Sequence, residues 1–211
     1  STTVTPQLDT IVSLNATFAL TAQSRDAATN PIAGNYAWVS RTPATATVSA
    51  AGLVTAIANG STWVVATEAG GTRDSALIVV QQRVATINVT PGTRSIYKSR
   101  SFQFAASAVD GMGNVVPGVT SFTWSTLSPA VATVDTTGKV IGVTLGSTQV
   151  RATSGAITGV ASVSILTPIT RIIVGRDSSG VPVADSTALP SLGIGRFFRA
   201  EARDTLDAVM T

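Results

Sequence analysis

The sequence predicts an all-β protein made of tandem β-sandwiches, two complete and a third partial. Three observations predict this: an internal repeat of about 86 residues, short stretches in which apolar and polar residues alternate, and a low content of charge. Charged residues make up 12% of the 211 residues, about half of the usual share. Val and Thr, which favour strands, are abundant instead.

The repeat is the strongest of these observations. Residues 38–67 and 124–153 align without a gap at an offset of 86 residues and are identical at fourteen of thirty positions. A third copy follows, because residues 172–174 and 198–204 resemble the start of the second copy. A repeat of this length indicates one structural unit copied along the chain. We therefore predict domains at residues 1–82, 83–167 and 168–211, the last being the N-terminal part of a third repeat.

Each copy has the pattern of short strands. Phe18, Leu20 and Ala22 alternate with less apolar residues, and a period of two is typical of a half-buried strand. Turn signals such as Asn59-Gly60 separate these stretches. Short strands with a turn every 8 to 12 residues or so favour a sandwich.

The connection between the first two units is short. Gln81–Arg83 lacks the Gly and Ser content of a flexible linker. We therefore expect units arranged end to end with limited bending, which form a rod that sets a distance.

The predicted core contains two tryptophans and two valines that the repeat matches in pairs, together with one phenylalanine from each copy. We expect each tryptophan of the repeat to lie on a central strand and to fill the space between two sheets, burying about 150–250 Å². The predicted core residues are Phe18, Trp38 and Val48 in the first unit and Phe104, Trp124 and Val134 in the second.

Trp63 does not belong to that core pattern. The second unit has Gln149 at the equivalent position, and a period of two places Trp63 opposite Val64 and Ala66. Two interpretations remain open for Trp63: a contact point for a partner, or a surface aromatic that covers its neighbour.

The composition excludes several kinds of chemistry. The chain has no Cys and no His, which excludes thiol catalysis, a Ser-His-Asp triad and the common zinc sites. We therefore predict that this segment is not an enzyme and holds no cofactor. The basic residues form no stripe with stacking aromatics, so we expect no nucleic-acid binding. No stretch approaches the roughly 18 apolar residues of a membrane helix, so we expect no membrane insertion.

Calcium is the one metal that the sequence leaves open. Asp26 precedes Asn30 by four residues, and Asp110 precedes Asn114 by the same spacing. Asp and Asn supply the oxygen ligands that calcium prefers. The same residues also close turns by accepting hydrogen bonds from their own backbone, and this second interpretation needs no ion.

The motifs of the second unit resemble those of the bacterial immunoglobulin-like (Ig-like) group 2 domain. The matching segments are Val89–Pro91, Asp110–Asn114, Trp124–Ser125, Pro129–Val134, Gly138–Val140 and Gly146–Thr148. The first unit departs modestly, because residues 26–30 lack the Gly of the loop motif. The resemblance implies Ig-like sandwiches of the kind found in intimin- and invasin-type surface proteins.

The resemblance also implies a function. We expect a non-catalytic structural or adhesive repeat segment of a bacterial surface or secreted protein, located at the cell surface or outside the cell. One alternative is a subunit or decoration of a phage virion or surface filament, in which the incomplete third repeat pairs strands with another chain. A third hypothesis is a carbohydrate-binding accessory module. The expected partners are protein, through self-assembly or neighbouring domains, or a surface glycan.

Overall fold

The computed structural model describes residues 1–168, 171–176 and 198–203. All regular secondary structure in these residues is β-strand, which confirms the all-β prediction. None of them forms a helix that is long and apolar enough to cross a membrane.

The first repeat contains ten strands and the second contains nine. Those of the first repeat are β1 (Thr2–Thr5), β2 (Leu8–Ile11), β3 (Thr17–Ala19), β4 (Thr21–Arg25), β5 (Pro31–Ile32), β6 (Tyr36–Ser40), β7 (Ala46–Val48), β8 (Leu53–Ala56), β9 (Gly60–Glu68) and β10 (Arg73–Val80). Those of the second are β11 (Thr86–Thr90), β12 (Thr93–Tyr97), β13 (Ser101–Gln103), β14 (Ala105–Val109), β15 (Thr123–Thr126), β16 (Ala132–Val134), β17 (Lys139–Gly142), β18 (Gly146–Ser154) and β19 (Ile157–Leu166).

The two repeats share one strand plan. A four-stranded sheet has the order β2-β10-β9-β6 in the first repeat and β12-β19-β18-β15 in the second. The remaining strands form β1-β4-β5 and β3-β8-β7 in the first repeat, and β11-β14 and β13-β17-β16 in the second. In each repeat one parallel pair, β2 with β10 or β12 with β19, joins otherwise antiparallel sheets. Both repeats are therefore Ig-like sandwiches.

The core of the first sandwich follows the alternation of its strands. Thr62, Val64 and Ala66 of β9 are buried, while the residues between them are more exposed. Ile78 of β10 and Val54 of β8 are buried in the same core. This pattern is typical of a sheet with one face packed on a core and one face toward solvent.

The tryptophan strand differs from its predicted place. β6, which carries Trp38, lies at the end of its four-stranded sheet, and β15, which carries Trp124, does the same. The prediction of a central strand is wrong, because the order of strands in a sheet depends on long-range pairing that a local pattern does not encode.

The third repeat begins as the first two do. Its strands β20 (Arg171–Arg176) and β21 (Phe198–Arg203) pair antiparallel, with Ile172 opposite Ala202. The pair β11 and β14 has Ile87 opposite Ala108, in the register that the repeat alignment predicts for it. The described strands of the third repeat thus reproduce the first strand pair of an Ig-like sandwich.

The chain divides into two compact units whose boundaries differ from those of the repeats. The first comprises Ser1–Thr90, Ala105–Thr123 and Arg151–Val160. The second comprises Pro91–Phe104, Trp124–Val150 and Ala161–Thr211. The first unit therefore holds the whole first repeat together with the loop that follows β14.

Candidate functional site

The loop that follows β14, residues 110–114, is closed by an aspartate. Asp110 Oδ1 accepts hydrogen bonds from the backbone amides of Met112 and Asn114, both at 3.0 Å. The backbone amide of Asp110 donates to the Asn114 carbonyl at 2.9 Å. Gly113 takes a positive φ of 84°, a conformation that glycine adopts readily. The motif residues of this loop therefore have a local structural use.

The same loop also contacts the first repeat within the first unit. Asp110 Oδ2 accepts a hydrogen bond from the backbone amide of Leu14 at 2.8 Å. The Asn114 side chain donates to the Leu14 carbonyl at 2.8 Å and accepts from the Asn15 side chain at 3.0 Å. The amide of Gly111 donates to the Ser13 hydroxyl at 3.1 Å. Four hydrogen bonds thus join residues 13–15 to a loop almost 100 positions further along the chain.

Gln82, in the connection between the repeats, completes this cluster. Its side-chain nitrogen donates to Asp110 Oδ2 at 3.0 Å and to the Val115 carbonyl at 3.2 Å. Its side-chain oxygen accepts from Asn59 Nδ2 at 3.1 Å, and its backbone amide donates to Asn59 Oδ1 at 2.7 Å. The connection itself lies along the first repeat, because the Arg83 amide donates to the Val12 carbonyl. We call Ser13–Asn15, Gln82 and residues 110–114 the Asp110 joint.

The Asp110 carboxylate is buried and ionised in this environment. The residue is 2% exposed. Burial alone raises the pKa of a carboxyl, but the hydrogen bonds from the Gln82 side chain and from backbone amides, including that of Leu14, outweigh it. The pKa of Asp110 therefore lies well below its usual range, because each of these bonds favours the charged form.

The equivalent loop of the first repeat, residues 26–30, has the same internal geometry. Asp26 Oδ1 accepts from the backbone amides of Ala28 and Asn30, both at 2.9 Å. Thr29, with a φ of 68°, stands where the second repeat has Gly113. The Asn30 side chain holds the pKa of Asp26 below its ordinary value. Asp26 and Asn30 are exposed, whereas Asp110 is buried and Asn114 is half-buried.

These contacts bear on the calcium hypothesis without deciding it. In both loops the aspartate oxygens accept N–H groups, as the turn-closing interpretation requires. Among the described residues, no group of three or more Asp or Glu side chains could hold a metal ion. Calcium at Asp26, Asp110 and Asn114 stays a prediction.

The tryptophans and valines among the six predicted core residues are placed alike in the two repeats, whereas Phe18 and Phe104 differ, because Phe104 is equivalent to Leu20. Phe104 is buried to 1% exposure, and the other five are half-buried. Phe18, Trp38 and Val48 pack against the core of the first sandwich. Each tryptophan faces a glycine of positive φ: Gly52, at 81°, for Trp38 and Gly138, at 87°, for Trp124. The two indoles therefore have matching environments.

Trp63 lies on the outer face of β9. It is 44% exposed, while Val64 and Ala66 on the opposite face are fully buried. It pairs with Leu77 across the sheet, and Leu77 pairs with Leu8, which is 60% exposed. This row is apolar, whereas the equivalent positions of the second repeat are polar: Gln149 for Trp63, Ser162 for Leu77 and Thr93 for Leu8.

A shallow cavity of about 440 Å³ lies beside Trp38. Its lining consists of Tyr36, Trp38, Asn35 and Leu20 together with small residues. Among the described residues, no Asp, Glu, Lys or Arg belongs to this lining.

Sequence analysis missed the partners of the Asp110 joint. No sequence motif predicts that Ser13, Leu14, Asn15 and Gln82 contact this loop, and Leu14 contributes only backbone groups to the joint. The available signal was the Asp110–Asn114 motif itself, which predicts a closed loop but not the surface on which that loop docks.

Comparison with known families identifies the second repeat. Residues 83–165 match the model of the bacterial Ig-like domain (group 2). A curated relative, ice-binding protein 1 of Shewanella frigidimarina (strain NCIMB 400), is 34% identical over 157 residues. The match covers 74% of this chain and 18% of the relative, so the chain spans under a fifth of that protein's length.

Solved structures with similar chains include fragments of a surface-layer protein and of intimin. Domains 4 and 5 of the S-layer protein SbsC give a TM-score of 0.37 at 21% identity, covering 79% of this chain and 98% of that one. The C-terminal 282-residue fragment of intimin, solved with the intimin-binding domain of its translocated receptor, gives 0.36 at 16% identity, covering 85% and 66%.

Proposed function

Because residues 83–165 belong to the bacterial Ig-like domain (group 2) family, we propose that this chain is a non-catalytic spacer segment of a bacterial surface or secreted protein. Its repeats, divided as 1–82, 83–167 and 168–211, hold a binding element at a distance. The observation that carries the proposal is the Asp110 joint, which ties the loop of one repeat to the preceding repeat. A spacer needs such a joint, because a freely hinged chain of domains does not fix a distance.

The connection between the repeats supports this role. Gln82 is bonded on one side to Asn59 and on the other side to Asp110. A linker whose side chain and backbone are both hydrogen-bonded has few conformations left, unlike the flexible coil of a Gly/Ser linker. The buried charge of Asp110 adds to this, because hydrogen bonds to a charged group are about twice as strong as neutral ones.

Small-angle X-ray scattering of the full chain tests the spacer proposal. A compact domain of 211 residues has a radius of gyration of about 17 Å, and we expect a clearly larger value. In the variant Asp110→Asn we expect a broader distribution of interatomic distances, because the joint is loosened. Asp26→Asn is the matched control, with the distribution of the unaltered chain. A radius near 17 Å, or equal distributions for all three chains, would overturn the proposal.

Adhesion is the second candidate, and the apolar row on the first sandwich favours it. Leu8, Leu77 and Trp63 form an apolar row on the outer face of a sheet, in which Leu8 and Trp63 are exposed and Leu77 is half-buried, and exposed apolar surface is typical of contact sites. We commit to a second copy of this chain as the partner, since the apolar faces of two sheets can pack against each other as in a sandwich.

Sedimentation velocity over a range of concentrations tests this candidate. We expect the unaltered chain to self-associate and the variant Leu8→Thr/Leu77→Ser/Trp63→Gln, which carries the residues of the second repeat, to remain monomeric. An unaltered chain that stays monomeric at high concentration excludes this partner. The alternatives of a virion or filament subunit and of a carbohydrate-binding module stay predictions of the sequence.

A further inference from the structure

The first repeat carries a second copy of the docking loop. Asp26–Asn30 repeats the hydrogen bonds that close Asp110–Asn114, including the bond from the backbone amide of the aspartate to the carbonyl of the asparagine, 3.0 Å in the first loop and 2.9 Å in the second. The conformation is kept although Thr29 replaces glycine at a positive φ. A β-branched residue in this conformation is strained, so the loop holds its shape against a local cost.

The groups that dock in the second repeat face solvent in the first. Asp110 Oδ2 accepts from the Leu14 amide and from Gln82, whereas among the described residues Asp26 Oδ2 accepts only from the Asn30 side chain. Asn114 bridges the Leu14 carbonyl and the Asn15 side chain, whereas Asn30 makes no bond outside its own loop within the same residues. The Asp26 loop therefore has the same carboxylate and side-chain amide as the Asp110 loop, but in the described residues these groups make no hydrogen bonds outside their own loop.

The strand registers show that the chain enters both repeats at equivalent positions, next to the strand that leads into the aspartate loop. Thr2 pairs with Ser24 as Ile87 pairs with Ala108. Ser1 lies against Arg25, where their backbone groups bond at 2.8 Å. A chain segment joined to Ser1 therefore arrives beside Asp26 as Gln82 arrives beside Asp110.

We propose that the Asp26 loop is a docking surface for a further Ig-like repeat placed ahead of the first one. The partner repeat has two parts that contact the Asp26 loop. The first is a loop like Ser13–Asn15, which offers a backbone amide and carbonyl between a hydroxyl and a side-chain amide. The second is a linker residue like Gln82, which offers a side-chain amide. The inference rests on the proposed role of the Asp110 joint, and it extends that role from one junction to a series of equal junctions.

The test is a chain extended by one repeat. Residues 1–85 are fused ahead of Ser1 of the full chain, which places the added Gln82 relative to Asp26 as the original Gln82 is placed relative to Asp110. Segmental ¹⁵N labelling of either copy separates the two Leu14 amides, and hydrogen exchange measures the protection of each. We expect both amides to be protected, because each donates to a buried carboxylate.

Two variants separate this inference from the proposed function. Asp26→Asn in the original first repeat, and not in the added one, lowers the protection of the added Leu14 by at least about tenfold, which is about 1.4 kcal/mol. It leaves the protection of the original Leu14 unchanged. Asp110→Asn does the reverse. If the original Leu14 is protected and the added one exchanges freely, the inference fails while the Asp110 joint stands. If the original Leu14 is also unprotected, or if Asp110→Asn does not alter it, the proposed joint itself fails.

Discussion

Asp110 shows how one residue type at one motif position serves two purposes. Its Oδ1 closes the loop by accepting from Met112 and Asn114, and its Oδ2 reaches the preceding repeat at Leu14. An asparagine cannot replace it. In either orientation of the side-chain amide, the NH₂ group would face N–H donors that now meet an oxygen, and a buried donor left without an acceptor is costly.

Acid is expected to weaken the Asp110 joint. The pKa of Asp110 is lowered in the folded protein by its hydrogen bonds, so its contribution to stability is present above the unfolded value of about 4 and is lost as the pH falls toward the folded value. Urea unfolding of the full chain between pH 7 and pH 3 measures this loss. We expect a smaller loss in Asp110→Asn than in the unaltered chain.

Other aspartates with lowered pKa values contribute to the acid response of both chains. They are Asp26, Asp74 and Asp135. The difference between the two pH curves therefore isolates Asp110. Parallel curves down to pH 3 would show that the ionised carboxylate of Asp110 does not contribute to the free energy of unfolding.

At the scale of strands and turns, much of the fold could be predicted. The period of two in Phe18–Ala22 marks two short strands that are interrupted at Leu20, and the dipeptide Asn59-Gly60 marks the start of β9, where the glycine has a positive φ. Two features could not be predicted. The edge position of β6 depends on strand order, and the docking of residues 110–114 on residues 13–15 depends on the relative placement of segments far apart in sequence.

The glycine that faces each tryptophan gives a prediction for the turns. A Cβ at Gly52 would lie 2.6 Å from the Leu20 carbonyl oxygen, and one at Gly138 would lie 2.7 Å from the Trp124 ring. We expect Gly52→Ala and Gly138→Ala each to lower the free energy of unfolding by about 2–4 kcal/mol, since steric overlap adds to the backbone strain.

Gly71 provides the matched control for these two substitutions. It has a φ of 91°, but a Cβ there would meet nothing within 4 Å. Gly71→Ala should therefore cost about 1 kcal/mol, the backbone term alone. Equal losses for the three variants in urea unfolding would show that the tryptophan contacts do not constrain these turns.

At the scale of the whole molecule, the repeat unit and the junction between repeats differ in how far the sequence predicts them. The unit is visible in the sequence because its strands and turns are local patterns copied at a fixed offset. The junction is not visible, because Leu14 takes part through its backbone and Gln82 is one polar residue in a short connection. We propose that Asp110, in the second repeat, stabilises the first repeat through its contact with Leu14.

The most direct test of that claim follows the unfolding of each sandwich separately in one chain. Incorporated 5-fluorotryptophan gives ¹⁹F signals for Trp38 in the first sandwich and Trp124 in the second, and urea titration follows both. Asp110→Asn should lower the free energy of unfolding reported at Trp38 by about 2 kcal/mol, the scale of hydrogen bonds to a charged group. Asp135→Asn is the control, because Asp135 closes a turn of the second repeat through Thr137 and Lys139. It should change the transition at Trp124 without a comparable loss at Trp38. A transition at Trp38 that Asp110→Asn leaves unchanged would contradict the account.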